Sequence, residues 1–435
     1  MKQDKIILIP SNVKESNVDL PGSKSISNRV LLISSLGIGK IDISNLLFSD
    51  DTKVMIDALT NLGVKIKPNR ELKKCSIEGV NNFFPNKDVK LYVGNSGTTI
   101  RPLTAALAFN RGNYFIHGTD RMHDRPIGDL VNSLNSIGAD IKYKNKINYP
   151  PLVISKSNIN KNKINIKGNI SSQFLTSILI ASPILSINKD TYINLIGDLI
   201  SKPYIEITLK LLKIFGLEVK IIQNNKYKIK SNQHYINPPN IKIEGDASSS
   251  TYFLAAAAIS GKKIRVNGVG KKSIQGDALF LKYLEKMGVK VAIGDDWIEV
   301  NESLKLKAID EDCNNIPDAA MTIAMLALYA DGTSVLRNVA SWRVKETDRL
   351  SAMSKELKKL GAIIEEGKDF IKITPPSKIN DAVIDTYDDH RMAMCFSLAS
   401  LNNFSKKGGN ITINDPDCVN KTFPNYFDYF LKIID

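Results

Sequence analysis

The chain of 435 residues has few of the features that mark a secreted or membrane protein. Its four cysteines include no C-x-x-C pair and no spacing typical of a metal site, so we expect free thiols in a reducing compartment. No apolar run approaches the roughly 18 residues of a membrane-spanning helix. The start, M-K-Q-D-K-I-I-L-I-P, has too short an apolar run for a signal peptide. The cytoplasm is therefore the expected compartment.

Signatures of the common nucleotide and nucleophile sites are also absent. The sequence has no G-x-x-x-x-G-K-[ST] phosphate loop, no G-x-G-x-x-G fingerprint, and no cysteine paired with a histidine in a nucleophile pattern. Arginine, lysine, hydroxyl and a few carboxylate side chains remain as candidates. This set suits small, multiply anionic ligands and acid–base catalysis, so we expect neither a cofactor nor a metal site.

Positive charge exceeds negative charge, with 59 Lys and Arg against 45 Asp and Glu, a net charge of +14. Such a balance can indicate nucleic acid, a membrane surface or anionic substrates. Part of the excess lies in tracts such as K-N-K-I-N-Y, which are typical of drift toward A/T-rich codons. A nucleic-acid-binding protein is a rival interpretation, but it predicts a basic stripe with exposed aromatics, and aromatic residues make up only 7% of the chain.

An internal repeat organises the chain. A helix-like segment ending in glycine, followed by a strand-like run, recurs at intervals of 72 to 78 residues. Its glycines are Gly63, Gly138, Gly216, Gly288 and Gly361, and the segment F-D-Y-F-L-K-I-I closes the chain one step later. Glycine after the last apolar position is a common helix stop. A second series of small, apolar helices follows the same period and is predicted to be buried. We expect six units, divided three plus three into two domains.

Polar and cationic stretches stand where the repeated helices begin. P-G-S-K-S-I-S-N-R brings Lys24, Ser25 and Arg29 to a helix start, whose free N–H groups and dipole favour an anion. An ordinary capped helix with solvated charges is the alternative. Similar stretches are G-N-S-G-T-T-I-R-P at 94–102, D-R-P-I-G around Arg125, S-S-Q at 171–173 and S-K-P-Y at 201–204. Their recurrence on one period would bring them to a common face, which favours the functional interpretation.

Carboxylates join the cations in the second half. Asp318, in I-P-D-A-A-M, stands at the head of a buried helix, as an N-cap or as a general base. In W-R-V-K-E-T-D-R-L, Lys345 and Arg349 are four residues apart and are expected to share a helix face; a salt-bridged surface helix is the alternative. Further charged helix starts are predicted at His390 and Arg391 in D-D-H-R-M-A-M, and at Lys421 in N-K-T-F-P, which is expected to head the last helix.

With these stretches assembled, the sequence closely resembles the EPSP synthase (3-phosphoshikimate 1-carboxyvinyltransferase) family of enolpyruvyl transferases over essentially its whole length. The stretches above, together with R-V-K-E-T-D-R-L and K-T-F-P, match that family's motifs in the family's order. The implied fold is α/β of the α+β type, with two domains that each contain three repeats of a β-α-β-α-β-β unit around buried parallel helices (an inverse α/β prism). One domain would span 21–240 and the other 1–20 plus 241–435, with the active site in the cleft between them.

The resemblance implies transfer of the enolpyruvyl group of phosphoenolpyruvate to the 5-hydroxyl of shikimate 3-phosphate, by addition and elimination, in the shikimate pathway. Asp318 would accept the hydroxyl proton, Glu346 would protonate the methylene carbon, and Lys24 would assist both substrates. The residues implied to bind shikimate 3-phosphate are Lys24, Ser25, Arg29, Ser171, Ser172, Gln173, Ser201, Tyr204, Asp318, Ser341 and Lys345. Those implied to bind phosphoenolpyruvate are Lys24, Gly97, Thr98, Arg125, Gln173, Arg349, His390, Arg391 and Lys421. The resemblance also implies a monomer that acts without nucleic acid or membrane.

One position departs from the family's pattern. Ser341 replaces the asparagine that usually precedes W-R-V-K-E, so a hydrogen bond to the shikimate ring is expected to be lost or water-bridged, with weaker binding at most. The residues Gly97, Thr98 and Pro102 match the family's glyphosate-sensitive pattern, which implies inhibition by glyphosate at the phosphoenolpyruvate site.

Two rivals share the implied fold. The sister enzyme that acts on UDP-N-acetylglucosamine uses a loop cysteine, whereas none of the four cysteines here lies in such a loop and P-G-S-K-S-I-S-N-R is not its opening. An inactive scaffold would be expected to lose its acid and base residues, yet every such position is intact.

Overall fold

The computed structural model describes residues 4–159, 161–169, 171–223, 225–301 and 305–435. The chain divides into two compact units. The central unit is Gly22–Ile243, and the discontinuous unit combines Met1–Pro21 with Glu244–Asp435; residues 1–3 lie outside the described part. Within the described ranges, no helix is both long and apolar enough to cross a membrane.

The helices fall six to each unit in the described residues. Those of the central unit are α1 (Lys24–Leu36), α2 (Asp50–Asn61), α3 (Gly97–Ala108), α4 (Gly128–Asn135), α5 (Ser172–Leu185) and α6 (Pro203–Ile214). Those of the discontinuous unit are α7 (Ala247–Ser260), α8 (Phe280–Lys286), α9 (Ala320–Leu326), α10 (Arg349–Lys359), α11 (His390–Ser397) and α12 (Tyr426–Lys432).

The strands are short, three to six residues each. The first fourteen are β1 (Lys5–Leu8), β2 (Ser16–Asp19), β3 (Lys40–Ser44), β4 (Lys65–Asn69), β5 (Lys74–Glu78), β6 (Asp88–Tyr92), β7 (Asn113–His117), β8 (Asp140–Tyr143), β9 (Leu152–Ser155), β10 (Lys163–Lys167), β11 (Thr191–Ile196), β12 (Val219–Gln223), β13 (Lys226–Ile229) and β14 (Asn240–Lys242). The others are β15 (Ile264–Asn267), β16 (Val291–Ile293), β17 (Trp297–Val300), β18 (Asp310–Asp312), β19 (Ser334–Arg337), β20 (Ile363–Glu366), β21 (Ile371–Thr374), β22 (Ala382–Ile384) and β23 (Ile411–Asn414).

Each sheet of the central unit has the same strand pattern. Their orders are β14-β3-β5-β4, β6-β7-β9-β8 and β10-β11-β13-β12, with the first pair parallel and the other pairs antiparallel. From β6 to β9 the chain runs β-α-β-α-β-β, because a helix joins the two parallel strands and a hairpin completes the sheet. This order confirms the predicted fold class.

The discontinuous unit repeats the pattern in two four-stranded sheets and has a third sheet of three strands. Its sheets are β16-β17-β15-β2, β18-β19-β21-β20 and β1-β23-β22. Strand β2 lies parallel to β15, and β1 lies antiparallel to β23, with Lys5 opposite Asn414. The N-terminal strands thus complete sheets whose other strands come from the second half of the chain.

The odd-numbered helices form the interior of each unit. In α7, A-S-S-S-T-Y-F-L-A-A-A-A-I-S, every residue is buried, and α9 packs against both α7 and α11. The hydroxyls of such a helix need partners, and Thr251 donates to the carbonyl of Ser248 at 2.7 Å while Ser260 donates to that of Ala256 at 2.8 Å. Small polar side chains can therefore lie inside without unsatisfied groups.

The predicted helix stops are confirmed. The five repeated glycines have φ between 81° and 109°, a region that L side chains rarely adopt. They are Gly63, Gly138, Gly216, Gly288 and Gly361, and each follows an even-numbered helix from α2 to α10. These glycines let the chain reverse directly into the next strand.

Candidate active site

Most predicted site residues lie between a strand and the helix that follows it. Five of them stand at, or just before, the start of an odd-numbered helix. They are Lys24 (between β2 and α1), Gly97 (β6 and α3), Ser171 (β10 and α5), Asp318 (β18 and α9) and His390 (β22 and α11). Arg125, Ser201, Lys345 and Lys421 follow the second strand of a parallel pair. A helix start exposes unpaired N–H groups, which favours anions at the first of these two sets of positions.

Gly97 is the point around which three polar side chains of the central unit gather. A Cβ at this position would lie 2.8 Å from Nη1 of Arg101, 2.9 Å from Nη2 of Arg125 and 3.1 Å from Oε1 of Gln173. Arg101 donates to Oε1 of Gln173, and Arg125 donates to the carbonyl of Asn95 at 2.8 Å. Only a residue without a side chain leaves these two buried guanidinium groups in place.

Arg29 is a buried cation with neutral hydrogen-bond acceptors. Its Nε donates to Oγ1 of Thr208 at 3.0 Å, and its Nη atoms donate to the carbonyls of Ser25 at 2.8 Å and Tyr204 at 3.4 Å. Burial lowers the pKa of Arg29 to about 10, although nearby Tyr204 opposes this shift. A buried guanidinium held by neutral groups is favourably placed to pair with an anionic ligand.

A small cavity joins Arg29 to the heads of α3 and α5. Its lining is Asn28, Arg29, Thr98, Pro102, Gln173, Thr176 and Ile180. The amide of Asn28 donates to Oγ1 of Thr98 at 2.7 Å, and Thr98 in turn approaches Asp51, whose carboxylate lies 3.6 Å from Nζ of Lys24. The cationic groups on α1 and the polar groups on α3 are therefore linked through Asp51.

The serines of the central unit are placed at helix starts, as expected. Ser171 caps α5 and accepts from the N–H of Gln173 at 3.2 Å, and Ser172 is buried in the first turn. Ser201, also buried, precedes α6 and has φ of 52° in the left-handed region. Such a backbone conformation at a non-glycine residue is often maintained at a binding site.

Asp318 is the meeting point of three cations in the discontinuous unit. Its Oδ1 lies 2.9 Å from Nη1 of Arg349 and 3.3 Å from Nζ of Lys345, and its Oδ2 lies 2.9 Å from Nη2 of Arg391. Burial alone would raise the pKa of Asp318, but the three cations hold it well below its usual range. The carboxylate is therefore ionised at neutral pH and is a weak base until an anion neutralises its partners.

Arg349 bridges three carboxylates. Besides Asp318, it donates from Nη2 to Glu346 at 2.9 Å and from Nε to Asp389 at 2.7 Å. The Arg349 side chain is 1% exposed and that of Asp389 is fully buried. Burial would lower the pKa of Arg349, yet Asp389, Glu346 and Asp318 raise it above its ordinary value. Two predicted catalytic carboxylates, Asp318 and Glu346, are thus held by one guanidinium.

Arg391, His390 and Lys421 lie on neighbouring elements of the same unit. Arg391 donates from Nη1 to the hydroxyl of Tyr252 at 3.1 Å. His390 is fully buried with Nδ1 3.6 Å from Asp389. Lys421 is 8% exposed and ends a 3₁₀ segment, Pro416–Lys421, that packs against α11. The prediction that Lys421 heads the last helix is wrong, because α12 begins only at Tyr426.

The expectation that Lys345 and Arg349 share a helix face is also wrong. The side chain of Asp348 accepts from the N–H of Ser351 at 3.1 Å and caps α10, so the helix begins at Arg349. Lys345 ends the preceding 3₁₀ segment with extended backbone, and it reaches Asp318 from outside the helix. Ser341 lies half-buried in that segment, and its predicted effect on ring binding stays a prediction.

Asp277 is a buried acid beside this cluster. Its side chain accepts from the hydroxyl of Ser248, and burial, reinforced by Asp318, raises its pKa to about 6. An acid whose folded pKa lies above its unfolded value of about 3.9 destabilises the fold increasingly as the pH rises from about 4 to 6.

Asp277→Asn is therefore expected to stabilise the protein by about 1–3 kcal/mol at pH 7 and to have little effect near pH 4. Asparagine keeps an oxygen that can accept from Ser248 but removes the buried charge. Urea unfolding at both pH values measures the difference. Equal effects at pH 4 and pH 7 would contradict this assignment of the Asp277 ionisation.

The four cysteines are free thiols. Burial raises the pKa of Cys75, Cys313 and Cys395 to about 12, and it raises that of Cys418 further. Thiols with raised pKa values are poor nucleophiles at neutral pH. This chemistry disfavours the rival that depends on a reactive loop cysteine. Among the described residues no group of His, Cys, Asp and Glu has the arrangement of a metal site.

Sequence reasoning missed several residues of these clusters. They are Asp51, Asn95, Arg101, Tyr252 and Asp389. Arg101 lies within G-N-S-G-T-T-I-R-P, and Asp389 lies within D-D-H-R-M-A-M. A charged residue inside a buried helix or at its cap indicates that the charge has a partner. Tyr252 lies in an apolar helix that offers no comparable signal.

Comparison with known proteins supports the resemblance. Residues 9–430 match the family model of EPSP synthase (3-phosphoshikimate 1-carboxyvinyltransferase). The chain is 56% identical over 428 residues to the 3-phosphoshikimate 1-carboxyvinyltransferase of Janthinobacterium sp. (strain Marseille), and 55% identical over 428 residues to that of Herminiimonas arsenicoxydans. Each alignment covers 98% of this chain and 97% of the relative.

Solved structures give the same result for the fold. An EPSP synthase from Acinetobacter baumannii superimposes with a TM-score of 0.81 at 25% identity, covering 100% of this chain and 99% of that one. The enolpyruvyl transferase NikO from Streptomyces tendae superimposes with a TM-score of 0.77 at 14% identity, covering 100% and 98% of the two chains, and shares the fold.

Proposed function

Because the chain belongs to the EPSP synthase family, the 3-phosphoshikimate 1-carboxyvinyltransferases, we propose that its two clusters of buried charge bind and activate the substrates of that reaction. The enzyme transfers the enolpyruvyl group of phosphoenolpyruvate to the 5-hydroxyl of shikimate 3-phosphate and releases phosphate. The observation that carries the assignment of residues is the bridging of Asp318 and Glu346 by the buried Arg349.

The central unit is proposed to hold mainly shikimate 3-phosphate. Lys24, Ser25 and Arg29 would bind its phosphate, and the neutral acceptors around Arg29 support this role because they leave the guanidinium charge available to an anion. The serines at the starts of α5 and α6, with Gln173 and Tyr204, would complete the site. From the discontinuous unit, Asp318, Ser341 and Lys345 would contact the ring hydroxyls.

Phosphoenolpyruvate is proposed to bind to arginines and lysines of both units. Gly97, Thr98, Arg125 and Gln173 would contribute from the central unit, with Lys24. Arg349, His390, Arg391 and Lys421 would contribute from the discontinuous unit. A dianionic phosphate and a carboxylate need several cations, and buried arginines are well suited because the guanidinium binds such groups in a bidentate manner.

The proposed chemistry needs one base and one acid. Asp318 takes the proton of the 5-hydroxyl as the hydroxyl oxygen forms a bond to C2 of phosphoenolpyruvate. Glu346 gives a proton to C3, so the C2–C3 double bond becomes a single bond and C3 becomes a methyl carbon. In the elimination step, Glu346 takes a proton back from that methyl group, the C2–O bond to phosphate breaks with its electron pair going to phosphate, and the C2–C3 double bond forms again; the proton that Asp318 accepted goes to the released phosphate. Lys24 and the arginines stabilise the charge on the tetrahedral intermediate.

Bound substrate anions would also change the pKa of Asp318, the proposed base. The three cations around Asp318 suppress its basicity in the free enzyme. When Arg349 and Arg391 pair with phosphoenolpyruvate, the added negative charge opposes that suppression and raises the pKa of Asp318. The carboxylate would then accept a proton most readily when both substrates are present.

Phosphate release tests the activity directly. Purified protein is mixed with phosphoenolpyruvate, alone and with shikimate 3-phosphate or UDP-N-acetylglucosamine. We expect release only with shikimate 3-phosphate. Phosphate release with UDP-N-acetylglucosamine instead would show that shikimate 3-phosphate is not the acceptor. No phosphate release with either acceptor would indicate an inactive scaffold.

Gly97→Ala is expected to raise KM for phosphoenolpyruvate about tenfold and to weaken glyphosate inhibition, with little change in KM for shikimate 3-phosphate. The new Cβ would displace the ends of the Arg101, Arg125 or Gln173 side chains and so move a cation away from its position for the ligand; a tenfold loss of affinity corresponds to about 1.4 kcal/mol. Gly332→Ala is the matched control, because its Cβ would meet only Ala308 at 3.5 Å. Steady-state kinetics with both substrates measure the effect; unchanged constants in Gly97→Ala would argue against this position for phosphoenolpyruvate.

The remaining expectations are proposals of the same kind. We place the enzyme in the cytoplasm, which its similarity to bacterial enzymes supports, and we propose that it acts as a monomer. Sedimentation of the purified protein tests the oligomeric state.

A further inference from the structure

Glu356 is a fully buried carboxylate that the reaction does not use. It lies on α10, and its two oxygens accept three hydrogen bonds. The hydroxyl of Tyr387 donates to Oε1 at 2.7 Å, the N–H of Asp385 donates to Oε2 at 3.1 Å, and Nζ of Lys359 lies 2.7 Å from Oε2. A buried carboxylate with three well-made contacts usually fixes the elements that supply the donors.

The segment that Glu356 holds has a strained backbone. Tyr387 has φ of 55° and Asp388 has φ of 53°, both in the left-handed region. Two adjacent non-glycine residues in this region are costly, and they persist when the surrounding contacts over-determine the conformation. The next residues are Asp389, which caps α11, and His390 and Arg391, which begin it.

Helix α10 contacts both ends of the turn from Asp385 to Asp389. Arg349, at the start of α10, binds Asp389 with Nε–Oδ2 of 2.7 Å. Glu356, seven residues later and on the same face of the helix, binds Asp385 and Tyr387. The turn from Asp385 to Asp389 is thus tied to α10 on either side of its strained residues.

We propose that Glu356 and Tyr387 are positioning residues that set Arg391 relative to Arg349, and so shape the phosphoenolpyruvate site without touching the substrate. This inference rests on the proposed function. If the turn relaxes, α11 can shift at its first residues, and the two guanidinium groups no longer match the spacing of the ligand's anionic groups.

Glutamine at position 356 is a weak test of this role. Its oxygen could accept from Lys359 and from the N–H of Asp385, while its N–H₂ group donates to the Tyr387 hydroxyl, which can also accept. Removing a donor is the sharper test, and Tyr387→Phe is the mildest such change, because the tyrosine is 38% exposed and only one hydroxyl is removed.

We expect Tyr387→Phe to raise KM for phosphoenolpyruvate about three- to tenfold and to leave KM for shikimate 3-phosphate within twofold. Lys359→Met, which removes the ammonium that contacts both Glu356 and Asp385, should change the two constants in the same way. Tyr283→Phe is the matched control: this tyrosine is half-buried, and its hydroxyl donates to the carbonyl of Asp312 at 2.6 Å in the same unit, away from the turn.

Arg391→Lys separates failure of the inference from failure of the proposed site. If Arg391→Lys raises KM for phosphoenolpyruvate while Tyr387→Phe and Lys359→Met behave like Tyr283→Phe, the positioning role is wrong and Glu356 is only structural. If either variant raises both KM values equally, the positioning role is also wrong. If Arg391→Lys leaves KM for phosphoenolpyruvate unchanged, Arg391 does not bind phosphoenolpyruvate. The positioning role of Glu356 and Tyr387 is then wrong as well, because it acts through Arg391.

Discussion

Asp318→Asn is expected to lower kcat by about 10²- to 10⁴-fold, because the amide cannot accept the proton of the attacking hydroxyl. Its oxygen can still accept hydrogen bonds from Arg349, Arg391 or Lys345, so the surrounding cations keep most of their contacts. The Kd of phosphoenolpyruvate should change much less than kcat. A large loss in kcat with near-normal binding is the signature of a group that acts in the transition state.

Single-turnover phosphate release with saturating substrates measures this effect. Asp310→Asn is the matched control, since Asp310 also contacts an arginine, Arg337, with 2.6 Å between Oδ1 and Nε, but at an exposed position of the same unit. It should retain full activity. A kcat for Asp318→Asn within tenfold of the wild type would rule out Asp318 as the base.

Arg349→Met is expected to reduce the free energy of unfolding by about 3–5 kcal/mol and to abolish measurable binding of phosphoenolpyruvate. Methionine fills a similar volume but leaves Asp389 buried without its cation and removes a partner from Glu346 and Asp318. An uncompensated buried charge is among the few causes of such a large effect of a single substitution.

The urea midpoint at pH 7 reports the loss of stability, with Arg337→Met as the control. Arg337 makes two hydrogen bonds to Asp310, at 2.6 and 2.7 Å, but both side chains are more than half exposed, so water can replace the ion pair and we expect no measurable change. If Arg349→Met were as stable as the control, the carboxylates around it would have to be protonated or otherwise compensated.

The repeat and the helix stops could be predicted because they are local patterns. A glycine after the last apolar turn of a helix commonly adopts the left-handed region, and Gly63 and Gly361 both have φ of 92°. The β-α-β-α-β-β order follows from alternating periodicities in the sequence together with the resemblance.

The contacts that organise the charged clusters could not be predicted in the same way. Arg349 and Asp389 are 40 residues apart in sequence, and Tyr252 is 139 residues from Arg391. Their approach depends on how α7, α10 and α11 pack, which no local pattern specifies. The error at Lys345 has a different and local cause, since the cap formed by Asp348 and Ser351 outweighs the spacing that suggested a longer helix.

The pairing of β1 with β23, about 400 residues later in the chain, affects how the discontinuous unit folds during synthesis. Strand β1 needs β23 as its partner, Val13 pairs with Ile434, and the N–H of Asp435 donates to the carbonyl of Asn12 at 3.0 Å. By contrast, the central unit has all of its strands once Lys242 has been synthesised.

During synthesis β1 therefore leaves the ribosome long before β23, its partner strand, has been made. At about 5–20 residues per second, β1 remains unpaired for roughly 20–80 s while the central unit can already fold. Throughout that interval the exposed isoleucines of K-I-I-L are available to chaperones or to a neighbouring nascent chain. Synthesis of β23, rather than emergence of β1, sets the earliest moment at which this sheet of the discontinuous unit can form.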